Sequence, residues 1–451
     1  MVTERIVVGK ILVFTTGMLV ITGLTIFLFV EPIEVAAWAA DPDVLLAVVM
    51  ANLAFLVIRL FSTGHAWLAG GGRRWFAVLV LTVIVAIPHA AIAWVGLETR
   101  DSLLKVFPEE QAPMAAAATT TTAPTTTTTL PTTTTTEFVI TPVASAAPGE
   151  YANEVIERSD VPLWRPFGEE RLNVLLLGGD AGPGRRGLRT DTMMVASIDP
   201  VSGDTALIGV PRNYGGVTFK DGTEVPVRLL NAVYGWGNRN PEGFDGPDPG
   251  AAATRDVIEN ITGLEIDHYM LVDLTGFAEL VDAFGGVRLD VARPIDGPLY
   301  DPEGGGYEMI RIEPGEQVLD GGQALAYARA RYGTSDYSRM GRQRCIIASM
   351  ARDADMMGLV SRLSDILTVI ETNTSTDIPL ETVPDLIRLS ARVESENIRV
   401  IGFDGRWRVG RTVEGAAVPD VKRIRDAVRD VIENPGASED VGALTADAAC
   451  G

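Results

Sequence analysis

Two carboxylates and a run of arginines are the residues whose types and spacing point to chemistry. Asp180 closes the apolar run that starts at Leu172, in Leu-Asn-Val-Leu-Leu-Leu-Gly-Gly-Asp. Asp191 follows eleven positions later in Leu-Arg-Thr-Asp-Thr, at the head of the next apolar run. Carboxylates at the ends of neighbouring strands converge on one hard cation; Mg2+, or Mn2+ in its place, favours one or two carboxylates plus the phosphate oxygens of a substrate. Taken singly, each Asp reads equally well as a turn former or cap. The second group is basic. Arg329, Arg331, Arg339, Arg342 and Arg344 fall within sixteen residues, and Arg189 and Arg212 join them. Guanidinium is a planar fork that matches phosphate oxygens two at a time. Arg339 and Gln343 are four apart and share a face of a helix. Five clustered arginines alone are more often a solvated face paired with acidic neighbours. Combined with the two aspartates they point to phosphoryl transfer, where a protein mainly positions groups and neutralises charge.

Other chemistries lack their residues. The segment Gly-Gly-Asp-Ala-Gly-Pro-Gly resembles a phosphate loop but has no Gly-Lys-Ser/Thr ending. No Gly-x-Ser-x-Gly elbow and no zinc-protease His motif occurs. Of three histidines, His65 and His89 fall in the N-terminal membrane region, and His268 reads as structural. Cys345 and Cys450 are too far apart for metal-type spacing. A formal charge of −21 opposes nucleic-acid binding, which rests on neutralising phosphates with Lys and Arg.

The elements that must position these residues follow a membrane region. The chain has 451 residues, 47% of them hydrophobic, with a mean hydropathy of +0.18. Apolar stretches at about 11–30, 44–61 and 75–95 are each long enough to cross about 30 Å of hydrocarbon. A cleavable signal peptide is the weaker reading of the first, since two more follow and no small-residue cleavage site is evident. Arg5 and Lys10 precede the first stretch, the next loop holds only acidic charges, and Arg59, Arg73 and Arg74 follow. That asymmetry predicts a multi-pass cell-membrane protein with a cytoplasmic N-terminus and everything after about Gly96 outside the cytoplasm. Residues 1–107 form the predicted anchor. Residues 108–171, rich in Thr, Ala and Pro, form an extended linker that cannot bury a core. A catalytic domain is expected over 172–435 and a tail over 436–451. On the oxidising side of the membrane a Cys345–Cys450 disulfide is open, as are two free thiols.

Within the domain, strands are predicted at Leu172–Leu177, Met193–Ile198, Thr205–Val210, His268–Val272, Val287–Val291 and Asn397–Ile401. Helices are predicted at Ala251–Ile261, Gly276–Ala283, Gly322–Arg331, Ser338–Met350, Leu359–Ile370, Leu380–Arg392 and Val421–Ile432. Interleaved strands and helices give an α/β, or mixed α+β, class: a central mixed sheet flanked by helices and preceded by three membrane helices.

These pieces also match a family. LNVLLLGGD, LRTDTMMVASIDPVSGDTALIGVPRN, LLNAVYGWG, ITGLEIDHYMLVDLTGFAELVDAFGGV and LDGGQALAYARARYGTSDYSRMGRQR, in this order, resemble the LytR-CpsA-Psr wall-glycopolymer ligases from about Leu172 to Ala351. The three-span anchor and Thr-rich linker look like an actinobacterial style of membership. The resemblance implies a phosphotransferase that moves a glycopolymer from a polyisoprenyl-pyrophosphate carrier to a hydroxyl of peptidoglycan or an arabinogalactan-type wall glycan. It implies Mg2+ (or Mn2+) on Asp180 and Asp191, and pyrophosphate contacts from Arg189, Arg212, Arg329, Arg331, Arg339, Arg342 and Gln343. Asp180, Asp191, Arg189 and Arg212 are the expected catalytic set. An apolar tunnel between sheet and helices is expected for the lipid. Two departures stand out. Asn213 replaces the Asp of the family's Pro-Arg-Asp, and Leu229 replaces a basic residue, with Arg228 one position earlier. A carrier-cleaving hydrolase using water at the same site and a non-enzymatic envelope regulator are the alternatives.

Overall fold

The computed structural model describes residues 30–69, 75–107, 171–180, 188–244, 246–300, 307–330, 336–352, 362–394, 397–434 and 444–445. The first expected membrane stretch lies outside the described residues, as do the linker and Arg331. Three helices come first: α1 (Pro32–Ala39), α2 (Pro42–Ala69) and α3 (Trp75–Val106). Two segments of these, Pro42–His65 and Thr82–Val106, are long and apolar enough to cross a membrane. The short α1 occupies what the sequence reading treats as a loop. Inside the α2–α3 pair, Asn52 Nδ2 donates to the His89 carbonyl at 2.8 Å, and its Oδ1 meets His89 Nδ1 at 2.6 Å. Polar side chains in apolar helices are satisfied across the helix pair in this way.

The next elements are β1 (Leu172–Gly179), β2 (Thr190–Ile198), β3 (Thr205–Gly209), α4 (Val233–Gly237), α5 (Pro249–Thr262), β4 (His268–Val272), α6 (Leu274–Ala283) and β5 (Val287–Val291). Then come β6 (Ile295–Tyr300), β7 (Tyr307–Ile312), β8 (Gly315–Leu319), α7 (Gly321–Arg329), α8 (Asp336–Arg352) and α9 (Leu363–Asn373). The chain continues through β9 (Thr374–Thr376), α10 (Val383–Ser390), β10 (Ile398–Gly402), β11 (Arg408–Arg411), β12 (Ala417–Pro419), α11 (Val421–Glu433) and β13 (Leu444–Thr445). The main sheet has seven strands in the order β13-β10-β3-β2-β1-β4-β9. It is mixed: β1 runs antiparallel to β2 and parallel to β4, and β3 runs antiparallel to β2 and parallel to β10. β5–β8, β6–β7 and β11–β12 form separate two-stranded sheets, so the expected strand at Val287–Val291 stands outside the central one.

Side chains alternate across the sheet. Leu175, Leu177, Val195, Ala206 and Ile208 face one way and pack with Val257, Ile258 and Ile261 of α5 and Ile424, Val428 and Val431 of α11. The apolar stripes of both helices cause this placement. Each helix starts on an aspartate cap: Asp248 Oδ1 accepts from Ala251 N at 3.0 Å, and Asp420 Oδ1 from Arg423 N at 3.1 Å. Gly263, at φ +76°, ends α5 in the left-handed region. The opposite sheet face is covered by α6, α7, α8 and α10, and it does not close on itself; a cavity separates it from them.

At one end of the sheet a carboxylate joins the ends of three of its strands, β1, β3 and β10. Asp204 accepts from Arg171 Nη1 at 3.0 Å and is paired with Arg399. The Arg171 and Arg399 side chains are only 3% and 6% exposed. Burial pulls the Arg399 pKa down, and the Asp204 charge opposes that.

The three N-terminal helices pack on this domain. Leu103 and Phe107, at the end of α3, are buried with Leu367, Ile378 and Leu380. Glu34 of α1 forms a two-pronged ion pair with Arg388 of α10, with bonds of 3.1 Å to Nε and Nη2. Lys105 meets Glu371 at 3.1 Å.

Candidate functional site

The cavity on the second sheet face has a volume of about 1180 Å³. Its floor is the alternate set of sheet residues: Val174 and Leu176 of β1, Ala196 of β2, Leu207 of β3, Met270 of β4 and Ile398 of β10. Its roof is apolar too, with Phe277 and Leu280 from α6, Leu325 from α7, Ile347 and Met350 from α8, and Leu386 and Leu389 from α10. At the ends of β1 and β2 the lining turns polar: Asp180, Arg189, Asp191, Thr192, Arg212, Asn213, Asn231, Arg329, Arg339 and Gln343. A long apolar space ending in charge is the shape that an amphiphile with an anionic head requires.

A bulge aims the key carboxylate. β1 and β2 pair in strict register up to Gly178↔Thr192, then slip so that Gly179 faces Thr190 and Asp191 is extra. The extra residue lets Asp191 and Thr192, consecutive in sequence, both line the cavity, while Thr190 is wholly buried elsewhere. Gly178 has no room for a side chain, because a Cβ there would press on the Thr192 side chain. Asp180 and Arg189 close the strand pair reciprocally. Asp180 N donates to the Arg189 carbonyl at 2.9 Å, and Arg189 N donates to Asp180 Oδ1 at 2.9 Å.

Asp191 is the electrostatic centre. Arg212 Nη1 lies 2.5 Å from its Oδ2, and Asn231 Nδ2 donates to its Oδ1 at 3.0 Å. Asn231 N in turn donates to the Arg212 carbonyl at 3.1 Å, which fixes the two partners relative to each other. Burial pushes the Asp191 carboxyl up. The Arg212 charge, the bonds from Asn231 and Arg212, and the Arg339 charge outweigh burial, and its pKa is lowered. Asp191 is therefore held as an anion. Arg339 is 3% exposed, on the face of α8 that also carries Gln343, Ile347 and Met350 into the cavity.

The structure brings Asp180, Asp191, Arg189, Arg212, Arg329, Arg339 and Gln343 into one lining. Arg342 is not among them. It is 6% exposed, and its guanidinium is turned to the backbone: Nε donates to the Tyr327 carbonyl at 2.8 Å, and Nη2 bonds to the Ala330 carbonyl. It sits on the stripe of α8 with buried Cys345, Ile346 and Ser349, and it ties α8 to the end of α7. Arg344 also lies apart, against Gly209 and Gly402, where a Cβ on Gly402 would collide with its guanidinium. Burial pulls the Arg344 pKa down to about 10. His268 stands 3.7 Å from Asp377 Oδ1, away from the cavity lining. Arg228 points outward to Glu414 at 3.2 Å, while Leu229 lines the cavity, so Arg228 does not take the place of a basic residue there. Cys345 is disulfide-bonded, and the chain's other cysteine, Cys450, lies outside the described residues.

Asn231 is the member of the site that the sequence reading passed over. It lies in the quoted LLNAVYGWG segment, but an uncharged amide gives no signal of its own. The donor set suits a divalent cation of the Mg2+ type: two carboxylates beside a polar opening large enough for substrate oxygens, with no thiol or imidazole among the lining residues. Among the described residues no cluster of three or more His, Cys, Asp or Glu occurs, so protein ligands alone would not complete an octahedral shell.

A family model described as the LytR_cpsA_psr family matches residues 144–428. The chain belongs to that family. Among curated family relatives, the polyisoprenyl-teichoic acid–peptidoglycan teichoic acid transferase TagU of Enterococcus faecalis is 29% identical over 263 residues, which is 55% of this chain and 77% of that protein. The probable cell wall biosynthesis protein LcpB of Corynebacterium glutamicum is 32% identical over 194 residues, or 42% of this chain and 39% of that protein. Among solved structures, B. subtilis TagV aligns with a TM-score of 0.44 and 23% identity, covering 58% of this chain and 96% of that one.

Proposed function

We propose that this chain is a membrane-anchored, extracytoplasmic phosphotransferase that moves a glycopolymer from a polyisoprenyl-pyrophosphate carrier to a hydroxyl of peptidoglycan or a related wall glycan. The observation that carries this is one continuous cavity, apolar along its length and ending in Asp180, Asp191 and four arginines. A polyisoprenyl chain fills the apolar part, and its pyrophosphate meets the charged end. The transferase names of curated family relatives support the reaction class.

Asp180 and Asp191 would hold the Mg2+ or Mn2+ ion, which supplies positive charge to the pyrophosphate oxygens when bound. Arg189, Arg212, Arg329 and Arg339 bind the same oxygens and neutralise charge as it moves. The acceptor hydroxyl oxygen forms a bond to the phosphorus next to the sugar. The bond from that phosphorus to the bridging oxygen breaks, and lipid monophosphate leaves with the electron pair. The hydroxyl proton is lost to solvent or to the departing phosphate. Asp191, held as an anion by Arg212, is a poor proton acceptor, and a loose phosphoryl transition state needs little base. Preorganised charge is the largest contribution, on the order of several kcal/mol.

Purified full-length chain in detergent, given labelled lipid-linked glycan and wall acceptor with Mg2+, should place label on the acceptor and release lipid monophosphate. Free sugar phosphate with an unlabelled acceptor would replace this reading by hydrolysis. Reporter fusions after about residue 171 should read as outside the cytoplasm.

A further inference from the structure

A second, smaller cavity of about 370 Å³ adjoins the charged end of the first, and the two share Asn213 and Leu229 as a common wall. The β11–β12 hairpin forms its far side. Arg228, Arg408 and Arg411 line it, with one carboxylate, Glu414. Three cations to one anion is a local excess of positive charge in a chain whose formal charge is −21. Glu414 is already engaged with Arg228 at 3.2 Å, and Arg411 Nη1 donates to the Gly415 carbonyl at 2.6 Å, which holds the hairpin turn. Arg408 is exposed on the same strand. At the shared wall, Asn213 Oδ1 is buried with no hydrogen-bond partner among the described residues. A buried acceptor of this kind costs free energy until a donor reaches it. A saccharide hydroxyl is such a donor, and the arginines match an anionic substituent on the same saccharide.

We propose that Asn213, Arg228, Arg408 and Arg411 form a second subsite, for a saccharide that carries a carboxylate or phosphate and lies just beyond the pyrophosphate. This rests on the transferase reading above. Asn213 holds a hydroxyl at the junction of the two cavities, and the arginines hold the negative group one sugar's reach away. The anionic saccharide belongs either to the acceptor glycan or to the donor polymer; the chemistry recognised is the same. Neither Arg408 nor Arg411 lines the pyrophosphate cavity, so changing them leaves that site in place.

The test compares full-length wild type with Arg408→Ala/Arg411→Ala and with Arg408→Glu, which spares the Arg411 turn bond. Lipid-linked donor and peptidoglycan fragments, with carboxylates free or amidated, are titrated separately. A KM for the free-carboxylate acceptor raised about tenfold, with unchanged kcat and no effect on the amidated fragment, supports the subsite and assigns its ligand to the acceptor. A donor KM raised by a similar factor supports it and assigns the ligand to the donor polymer. Arg408→Lys should recover part of either loss. Both KM values unchanged in both variants overturn the proposal. A separate arm stands apart from turnover. Binding of a disaccharide containing N-acetylmuramic acid, measured by calorimetry, should persist in Asp191→Ala and weaken in Arg408→Ala/Arg411→Ala if the acceptor supplies the anion. A chain that binds it in this pattern yet transfers nothing keeps the subsite and loses the transferase reading.

Discussion

Replacing Asp191 by Asn removes one charge while keeping the side chain's shape, and it separates catalysis from folding. The new amide keeps one oxygen, which Arg212 takes, and its NH2 then faces Asn231, whose own amide turns to accept from it. What disappears is the ion pair at 2.5 Å, whose side chains are 17% and 26% exposed. A hydrogen bond to a charged group is worth about 1.5–3 kcal/mol, against about 1 kcal/mol for a neutral one, so the stability loss should be about 1–2 kcal/mol. On the proposed function the loss in the reaction should be larger, because the carboxylate that would help hold a divalent cation at the pyrophosphate is gone. Removing one preorganised electrostatic group costs about 10²- to 10³-fold in turnover. Single-turnover transfer of labelled donor across a Mg2+ titration, run beside thermal unfolding, checks both. Turnover within about threefold of wild type with an unmoved Mg2+ midpoint would refute the argument. The acid limb gives a second check. Although burial opposes it, Arg212 and its neighbours depress the Asp191 pKa. A group depressed in the folded state contributes stability above its unfolded pKa, about 3.9, and loses it as pH falls through the lower folded value. The stability gap between wild type and Asp191→Asn should therefore be constant at neutral pH and shrink below about pH 4.

Arg342→Ala should cost about 1–3 kcal/mol of stability, by leaving the Tyr327 and Ala330 carbonyls without a donor, yet leave donor KM unchanged. Arg329→Ala should do the reverse, keeping the urea midpoint and raising donor KM, since Arg329 lines the cavity. Asp204→Ala should lower stability by roughly 3–5 kcal/mol, read by urea unfolding, because it strands the buried Arg171 and Arg399. Ala196→Phe, on the cavity floor, should raise KM for a long-chain lipid donor and spare a short-chain analogue; equal effects on both would remove the lipid from this cavity.

What was legible in the sequence is what hydrophobic patterning controls. β1 to β4, β10 and the helices α5, α6, α8 and α11 appear where apolar runs and helical spacing place them, because each buries one full face. The small hairpins were not legible. Ile295–Tyr300 contains Gly297 and Pro298, and Arg408–Arg411 is mostly polar, so neither carries the apolar alternation of a strand. The site was legible as a set of residue types but not as a geometry. Simple alternation along Thr-Asp-Thr would set Asp191 and Thr192 on opposite faces; the bulge puts both in the cavity. Arg339 and Arg342 are three apart on α8, close enough that charge counting groups them. The helix nevertheless sends one toward Asp191 and the other to the α7 backbone.

On the proposed function, the packing of the N-terminal helices on the sheet domain bears on how a lipid-linked donor would reach this cavity. The structure seats α1 and the C-terminal end of α3 against α9 and α10. Exposed ion pairs such as Lys105–Glu371 and Arg388–Glu34 are screened by solvent and too weak to carry this packing. Burying Leu103 and Phe107 against Leu367, Ile378 and Leu380 contributes about 1.5–3 kcal/mol per large side chain, so the apolar cluster carries the docking and the ion pairs set its angle. Arg388 sits on the same helix as Leu386 and Leu389, which line the cavity. The wall of the apolar space is thus tied to α1, the short helix that precedes the first helix long and apolar enough to cross a membrane. For a donor whose tail starts in the bilayer, that is the wall whose position most shortens its path.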